Sequence, residues 1–144
     1  MTAIYTGFLF AQAKARDLWQ SPLLPPHLIV QALVVGAAAL LLVPGVVPAR
    51  AAAPLAWLLA IAAATHVAMV AGEVLLTHGT AHARLAIEAM TSGAYRGAFW
   101  LGLALALVAM AAPWLPIAPP VAALVGVLAF EHAHVQAGQA VPLA

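Results

Sequence analysis

Four residues suited to proton chemistry lie in stretches that are otherwise apolar enough to cross a membrane. His66 and Glu73 interrupt the apolar run from Pro54 to Leu76, and Glu131 and His134 interrupt a second run near the C-terminus. An isolated charge at the centre of a bilayer costs on the order of 3 kcal/mol or more. We therefore expect these side chains to face a neighbouring helix or a water-filled path rather than lipid.

The spacing of these residues places them on defined helix faces. His66 and Glu73 are seven residues apart, and Glu131 and His134 are three apart, so each pair shares one face of its helix. With a rise of about 1.5 Å per residue, His66 and Glu131 fall near mid-membrane and Glu73 falls about 10 Å nearer one surface. The two helices run in the same direction. We therefore expect His66 to match Glu131 in depth, and Glu73 to match the His134–Gln139 region.

Two interpretations of this pattern remain open. Protonatable groups between mid-membrane and one surface are typical of a proton path, or of a quinone pocket with its proton supply. The alternative is that a His–Glu pair only holds two helices together. The proton-transfer candidates are Glu73, His66, Glu131 and His134. His27 lies at a predicted helix start, where an interfacial position explains it.

Metal and haem sites are not predicted, and neither is a catalytic residue. His78 and His82 have the i,i+4 spacing of ligands, but they lie at or beyond a helix end without a third ligand at motif spacing. A b-type haem needs facing histidines, and His66 and His134 differ in predicted depth. The chain has no cysteine, which excludes disulfides, thiolate metal sites and iron–sulfur ligation by this chain.

The composition identifies an integral membrane protein. Hydrophobic residues make up 66% of the 144 residues and charged residues 6%, whereas soluble domains carry about 25% charged residues. The lipid bilayer is therefore an expected partner. The formal net charge of +1 is too small for nucleic-acid binding. No basic segment follows Met1, so we do not expect a cleavable signal peptide.

The pattern of apolar runs predicts an all-α integral membrane fold, a four-transmembrane-helix bundle in a single domain over residues 1–144. Prolines and glycines separate crossings at about 27–43, 54–76, 98–112 and 121–141. The apolar run Ala3–Ala13 is too short to cross and predicts a short N-terminal partial helix. The segment ARLAIEAM, with Arg84 and Glu88 at i,i+4, predicts a short cytoplasmic surface helix that ends at Gly93.

The aromatic and basic residues orient this bundle. All four tryptophans fall at predicted membrane interfaces, as in an aromatic belt: Trp19, Trp57, Trp100 and Trp114. Most basic residues lie on one side, with Arg50 alone on the other: Lys14, Arg16, Arg84 and Arg96. The positive-inside rule then places the loop 77–97 and the C-terminus in the cytoplasm.

Three stretches in this order resemble the C-terminal half of the NrfD/PsrC family, the polysulfide reductase-type, quinone-interacting membrane subunits. The first, YTGFLFAQAKARDLWQSPLLPPHLIVQALVVGAA, resembles the family's helix end, Trp-containing loop and proline-led helix. The second, GAYRGAFWLGLALALVAMAAPWL, resembles its aromatic-led helix that ends in proline. The third, AFEHAHVQAGQAVPLA, resembles its C-terminal Ala-Gly-Gln segment. Together they cover nearly the whole chain.

The resemblance implies a subunit of two four-helix bundles, of which this chain is the second. It implies an iron–sulfur subunit, a molybdopterin catalytic subunit and the missing first half as partners, quinone or quinol as the substrate of the complex, and the inner membrane of a prokaryote. Much of the family's quinone pocket lies in the first bundle, so no quinone ligand is assigned here. Many members have an Arg-Tyr pair where this chain has Glu131-His132.

The sequence therefore predicts a non-catalytic membrane subunit of a respiratory molybdopterin and iron–sulfur oxidoreductase, which mediates electron exchange with quinone and takes part in proton transfer. A purely structural anchor that docks a peripheral subunit is the first alternative. A small transporter or channel component is the second.

Overall fold

The computed structural model describes residues 2–13, 16–75 and 80–142, and within them the protein is entirely helical. The described residues form six helices, with bounds α1 Thr2–Ala11, α2 Leu24–Leu42, α3 Ala49–Leu75, α4 Ala81–Thr91, α5 Arg96–Ala109 and α6 Ala118–Ala140. Helix α6 packs against α5, α2 and α4, while α3 packs against α2 and α5. The core of the bundle therefore lies around α6.

Three of these helices are long and apolar enough to cross a membrane. They are α2, α3 and α6, with 19, 27 and 23 residues. Helix α5 has only 14 residues, a rise of about 21 Å against a hydrocarbon core of about 30 Å. Helices α4 and α5 are bent by 72° and qualify together as one broken span. The predicted all-α, multi-pass membrane bundle is confirmed, with three or four crossings.

The helix starts differ from the predicted crossings because prolines lie inside the helices. The pairs Pro25-Pro26 and Pro119-Pro120 lie in the first turns of α2 and α6. Proline costs little there, since the first-turn N–H groups have no intrahelical partner. Helix α3 already begins at Ala49, so Pro54 lies within it. The predicted end of this crossing at Leu76 lies outside the described residues, as does Lys14.

Helices α5 and α6 meet through two glycines. A Cβ atom on Gly102 would lie 2.8 Å from the Phe130 backbone nitrogen and 2.9 Å from the Gly126 carbonyl oxygen. A Cβ on Gly126 would lie 2.9 Å from the Leu105 Cβ. In a membrane, where helices associate through packing rather than the hydrophobic effect, such close backbone approach is a main source of attraction. This contact fixes the position of Phe130 in the core.

We expect Gly102→Ala to destabilise the bundle by about 1–3 kcal/mol, since the new methyl group meets backbone atoms that cannot move alone. Thermal unfolding of the chain in detergent or lipid nanodiscs would measure the change. The matched control is Gly36→Ala on α2, where a Cβ meets nothing within 4 Å. An equal effect of the two substitutions would contradict the importance of the α5–α6 contact.

Helix α4 closes one end of the bundle, which we call the α4 end. Thr80 caps its start by accepting a hydrogen bond from the Ala83 backbone nitrogen at 3.2 Å, and the Gly93 backbone nitrogen donates to the Glu88 carbonyl at its end. Arg84 and Glu88 are exposed. The opposite face is buried and consists of Ala83, Ala86, Ile87 and Met90. The predicted short surface helix is therefore present and packs on the bundle.

Three tryptophans are exposed, as predicted for interfacial residues. Trp57 and Trp114 lie together in an edge-to-face contact of 5.5 Å at the end of the bundle remote from α4. The Trp100 indole nitrogen donates to the Thr91 carbonyl at the α4 end. Trp19 differs from the other three, because its side chain is only 8% exposed. Its ring packs on Phe10 at 5.0 Å, and neighbouring protein rather than lipid headgroups surrounds it.

Trp19 belongs to a contact between the α1–α2 connection and the end of α6. One Arg16 guanidinium nitrogen donates to the carbonyls of Gly138, Gln139 and Val141, at 2.8, 2.8 and 3.0 Å. These carbonyls lie at a helix C-terminus, where intrahelical partners run out and a positive charge is stabilising. The Trp19 indole lies directly over Gly138. We call this contact of Arg16 and Trp19 with α6 the Arg16 clamp.

Candidate functional site: a buried histidine core

Three histidines meet in the interior of the bundle, from three different helices. His27 of α2, His66 of α3 and His134 of α6 are exposed by only 3%, 1% and 3%. The His27 Nε2 atom lies 2.7 Å from the His66 Nδ1 atom, so the two rings share a hydrogen bond. We call these three residues the histidine core. Polar rings buried this deeply need hydrogen-bond partners or a functional role that explains their burial.

Phe130 holds the histidine core together. Its ring centroid lies 5.4 Å from His27, 4.9 Å from His66 and 5.9 Å from His134. The contact with His66 is edge-to-face and the contact with His134 is stacked. Aromatic pairs in these arrangements add about 0.5–1.5 kcal/mol each beyond the area they bury. One phenylalanine therefore orients all three imidazoles.

The histidine core lies between two apolar clusters. Leu24, Val70 and Phe130 belong to the cluster at the α4 end. The other cluster is rich in alanine and contains Val34 and Ala63 of α2 and α3. His27 lies between Leu24 and Val34 along α2, and His66 lies between Ala63 and Val70 along α3. His27 and His66 thus lie in one polar layer with apolar packing on both sides, and His134 lies one turn beyond Phe130 along α6.

Two carboxyl groups and an amide flank this layer. Glu73 is 5% exposed and Glu131 is half-buried. The two carboxyls are close enough to interact electrostatically, and the Gln31 side chain lies beside that of Glu131. Like charges in a low-dielectric site repel each other.

Several ring nitrogens of the core have no hydrogen-bond partner among the described protein atoms. They are Nε2 of His66 and both nitrogens of His134. Each neutral imidazole has one N–H donor and one acceptor nitrogen. The core thus offers free proton-binding positions beside the His27–His66 bond.

The structure brings the four predicted residues to one region, but with different partners. His66 bonds to His27 rather than pairing with Glu131, and the electrostatic neighbour of Glu73 is Glu131. His134 stacks on Phe130, next to Glu131 in the chain. The expected match in depth between His66 and the start of the Glu131–His134 segment is therefore present, and the hydrogen-bond partner of His66 is His27 rather than a glutamate.

The prediction that His27 occupies an interfacial position is wrong. Leu18 and Trp19 of the α1–α2 connection and the buried face of α4 cover this end of the bundle. Gln31 is the second residue missed, at 5% exposure. A signal for both was present, since one face of α2 contains residues at helical spacing that are all buried: His27, Gln31, Val34 and Ala38.

Two further features bear on cofactors and ligands. Within the described residues, no group of three or more His, Asp or Glu side chains is arranged to hold a metal ion. His78, one of the two spaced histidines, lies outside the described residues. A cavity of about 190 Å³ lies between α3 and α5, with an apolar lining that includes Val70, Phe99 and Trp100. It offers space for an apolar group but no acid–base side chain.

Comparison with known proteins identifies the family of the chain. The model of the family described as "Polysulphide reductase, NrfD" matches residues 1–141. No curated protein and no solved structure gives a significant match. Since the match covers essentially the whole chain, including all three helices of the histidine core, this protein belongs to the NrfD family of polysulphide reductase.

Proposed function

We propose that this chain is a membrane subunit through which an oxidoreductase complex exchanges electrons with quinone, and that its buried polar layer handles the accompanying protons. Members of the NrfD family are membrane subunits of quinone-interacting oxidoreductase complexes. Quinone chemistry moves protons together with electrons, so such a subunit needs a proton path to water. The histidine core and its carboxyls are groups able to form one.

The observation that carries this proposal is the burial of so many protonatable groups in one region of the bundle. Three histidines and Glu73 are at most 5% exposed, in a bundle whose neighbouring layers are apolar. Burying polar groups costs free energy unless they are well paired. The glycine contact between α5 and α6 holds two helices together without the free-energy cost of burying polar groups. The burial of these groups therefore supports a role in proton transfer.

Membership of the family supports a proposal for the partners and the location of the complex. NrfD family members assemble with iron–sulfur and molybdopterin oxidoreductase subunits. We propose the same partners for this chain, and a place in the inner membrane of a prokaryote. The chain itself would be the second helical bundle of the membrane subunit, and the first bundle would supply most of the quinone pocket. The electron carriers then belong to the partner subunits, because this chain has no cysteine.

The test replaces each carboxyl by its neutral isostere. In the assembled complex, Glu73→Gln and Glu131→Gln should each lower quinone-linked turnover at least about tenfold, equivalent to about 1.4 kcal/mol. Glutamine keeps the size of the side chain and removes its proton chemistry. Turnover with a quinone analogue in membranes, and the subunit content of the purified complex, are the two measurements.

The control is Glu88→Gln, which changes an exposed carboxyl on α4 and should leave turnover unchanged. Wild-type turnover in both buried variants would refute a proton role for the carboxyls.

A structural anchor is the second candidate function, and the His27–His66 bond between α2 and α3 favours it. In that case the two substitutions would impair assembly of the complex and leave the turnover per assembled complex intact.

A further inference from the structure

We propose that His27 and His66 share one proton in their hydrogen bond and act as a proton relay between α2 and α3. The shared proton is a property of this chain by itself. Its use during turnover rests on the proton-handling role proposed above. His27 thereby becomes a member of the proton path, which its position at the start of α2 did not indicate.

The geometry of the pair is that of a strong, bidirectional hydrogen bond. The two nitrogen atoms are 2.7 Å apart, at the short end of the range for hydrogen bonds in proteins. Both partners are imidazoles, so either ring can donate and the other accept. Burial at 3% and 1% exposure keeps bulk water from competing for the bond. When the pair carries one extra proton, so that His66 Nε2 and His27 Nδ1 are both protonated, the two positions of the bridging proton are therefore chemically alike.

The relay step changes only N–H bonds. A proton binds at His66 Nε2, which has no hydrogen-bond partner within the described part of the chain. The shared proton then moves from His66 Nδ1 to His27 Nε2, and His27 releases its own proton from Nδ1. One proton enters at His66 Nε2, one leaves from His27 Nδ1, and no electron is transferred, which leaves each ring as its other neutral tautomer. The same steps in reverse carry a proton in the opposite direction.

The surroundings supply groups that exchange protons with this pair. His134 of α6 stacks on the shared neighbour Phe130 and interacts electrostatically with His27. Glu131 of α6 and Glu73 of α3 are the carboxyls that flank this layer. Phe130 contacts both rings of the pair and holds them in the orientation that the bond requires.

The first experiment observes the shared proton directly. In the full chain, labelled with ¹⁵N-histidine and reconstituted in lipid nanodiscs, one proton resonance should couple to nitrogens of two different imidazoles. This resonance should disappear in both His27→Gln and His66→Gln. It should persist in His132→Gln, a control on α6 with an exposed side chain. Its absence from the wild-type protein, or its survival in either core variant, would overturn the proposal.

The second experiment separates a relay from a purely structural pair. Glutamine at position 27 still forms a hydrogen bond but has no second nitrogen through which to pass a proton. In the assembled complex, His27→Gln should lower quinone-linked turnover about tenfold or more while the subunit content stays normal, with His132→Gln unchanged. Normal turnover in His27→Gln would overturn the relay even if the shared resonance is present.

The two sets of variants also distinguish the His27–His66 relay from the broader proposal that the buried polar groups handle protons. If the Glu73→Gln and Glu131→Gln variants are fully active but His27→Gln is slow and the resonance is present, the relay stands and the role of the carboxyls fails. If the carboxyl variants are slow and the resonance is absent, the relay fails and the proton role of the layer stands.

Discussion

Replacing Phe130 by alanine is expected to lower the free energy of unfolding by about 3 kcal/mol and to abolish the order of the histidine core. The expected loss lies at the lower end of the range for Phe→Ala in soluble proteins, because lipid is as apolar as the protein interior and only the packing part is lost. Phe130 is 1% exposed and contacts all three core histidines. No neighbouring backbone is free to fill its space, since α5 and α6 already touch through glycine.

The control is Leu128→Ala on the same helix, whose side chain is 71% exposed. Leu128 faces lipid and leaves no internal cavity, so its replacement should change stability by less than about 0.5 kcal/mol. Unfolding of the reconstituted chain, followed by circular dichroism, gives the stability. The ¹⁵N spectrum of the histidines gives the order of the core. A Phe130→Ala protein with an unchanged histidine spectrum would show that this ring does not orient the core.

The architecture was largely readable from the sequence because membrane spans have a length and a composition that few other segments share. The four predicted crossings correspond to α2, α3, α5 and α6, and Ala3–Ala13 and ARLAIEAM correspond to α1 and α4. The predicted first residues of the helices are less accurate, because proline is found both after the end of a helix and within the first turn of one. Pro25 and Pro119 lie in the first turns of α2 and α6. The sequence alone does not distinguish a proline in a first turn from one that ends a helix.

The sequence predicts only part of the candidate site. An acid or histidine deep in an apolar run is conspicuous, which is why His66, Glu73, Glu131 and His134 were predicted to share a region. Their partners depend on the rotation of each helix about its axis, which packing decides and hydropathy does not. His27 was missed because a residue near a helix start is ordinarily at the surface. Here the Arg16 clamp and α4 bury that end of the bundle.

The burial of the histidine core at the α4 end limits where the proposed proton path can open to water. The histidine core does not face water directly at the α4 end, since Leu18, Trp19 and the buried face of α4 lie above it. Glu131 is only half-buried and is the most accessible protonatable group of the layer. Under the proposed function, Glu131 is therefore the first residue to test as the entry point of protons into the core.

The second large effect is expected for Gly138→Ala, which inserts a methyl group into the Arg16 clamp. The new Cβ atom would lie 2.7 Å from Cε2 of Trp19 and closer still to its indole nitrogen. Trp19 is 8% exposed and supported from behind by Phe10, so the ring has no free space to move into. We expect a loss of about 3 kcal/mol, at the upper end of the range for overpacking. The carbonyl contacts of Arg16 with the end of α6 should weaken with it.

A double-mutant cycle with Trp19→Leu tests whether the collision with the indole is the cause. Leucine is shorter and lacks the atoms that the new methyl group would meet. Trp19→Leu is itself destabilising, but Gly138→Ala should cost at least about 1.5 kcal/mol less in its presence than in the wild-type protein. Gly72→Ala, where a Cβ meets nothing within 4 Å, should be nearly neutral in both backgrounds. Equal costs of Gly138→Ala with and without Trp19 would mean that the glycine serves the backbone of α6 and not the clamp.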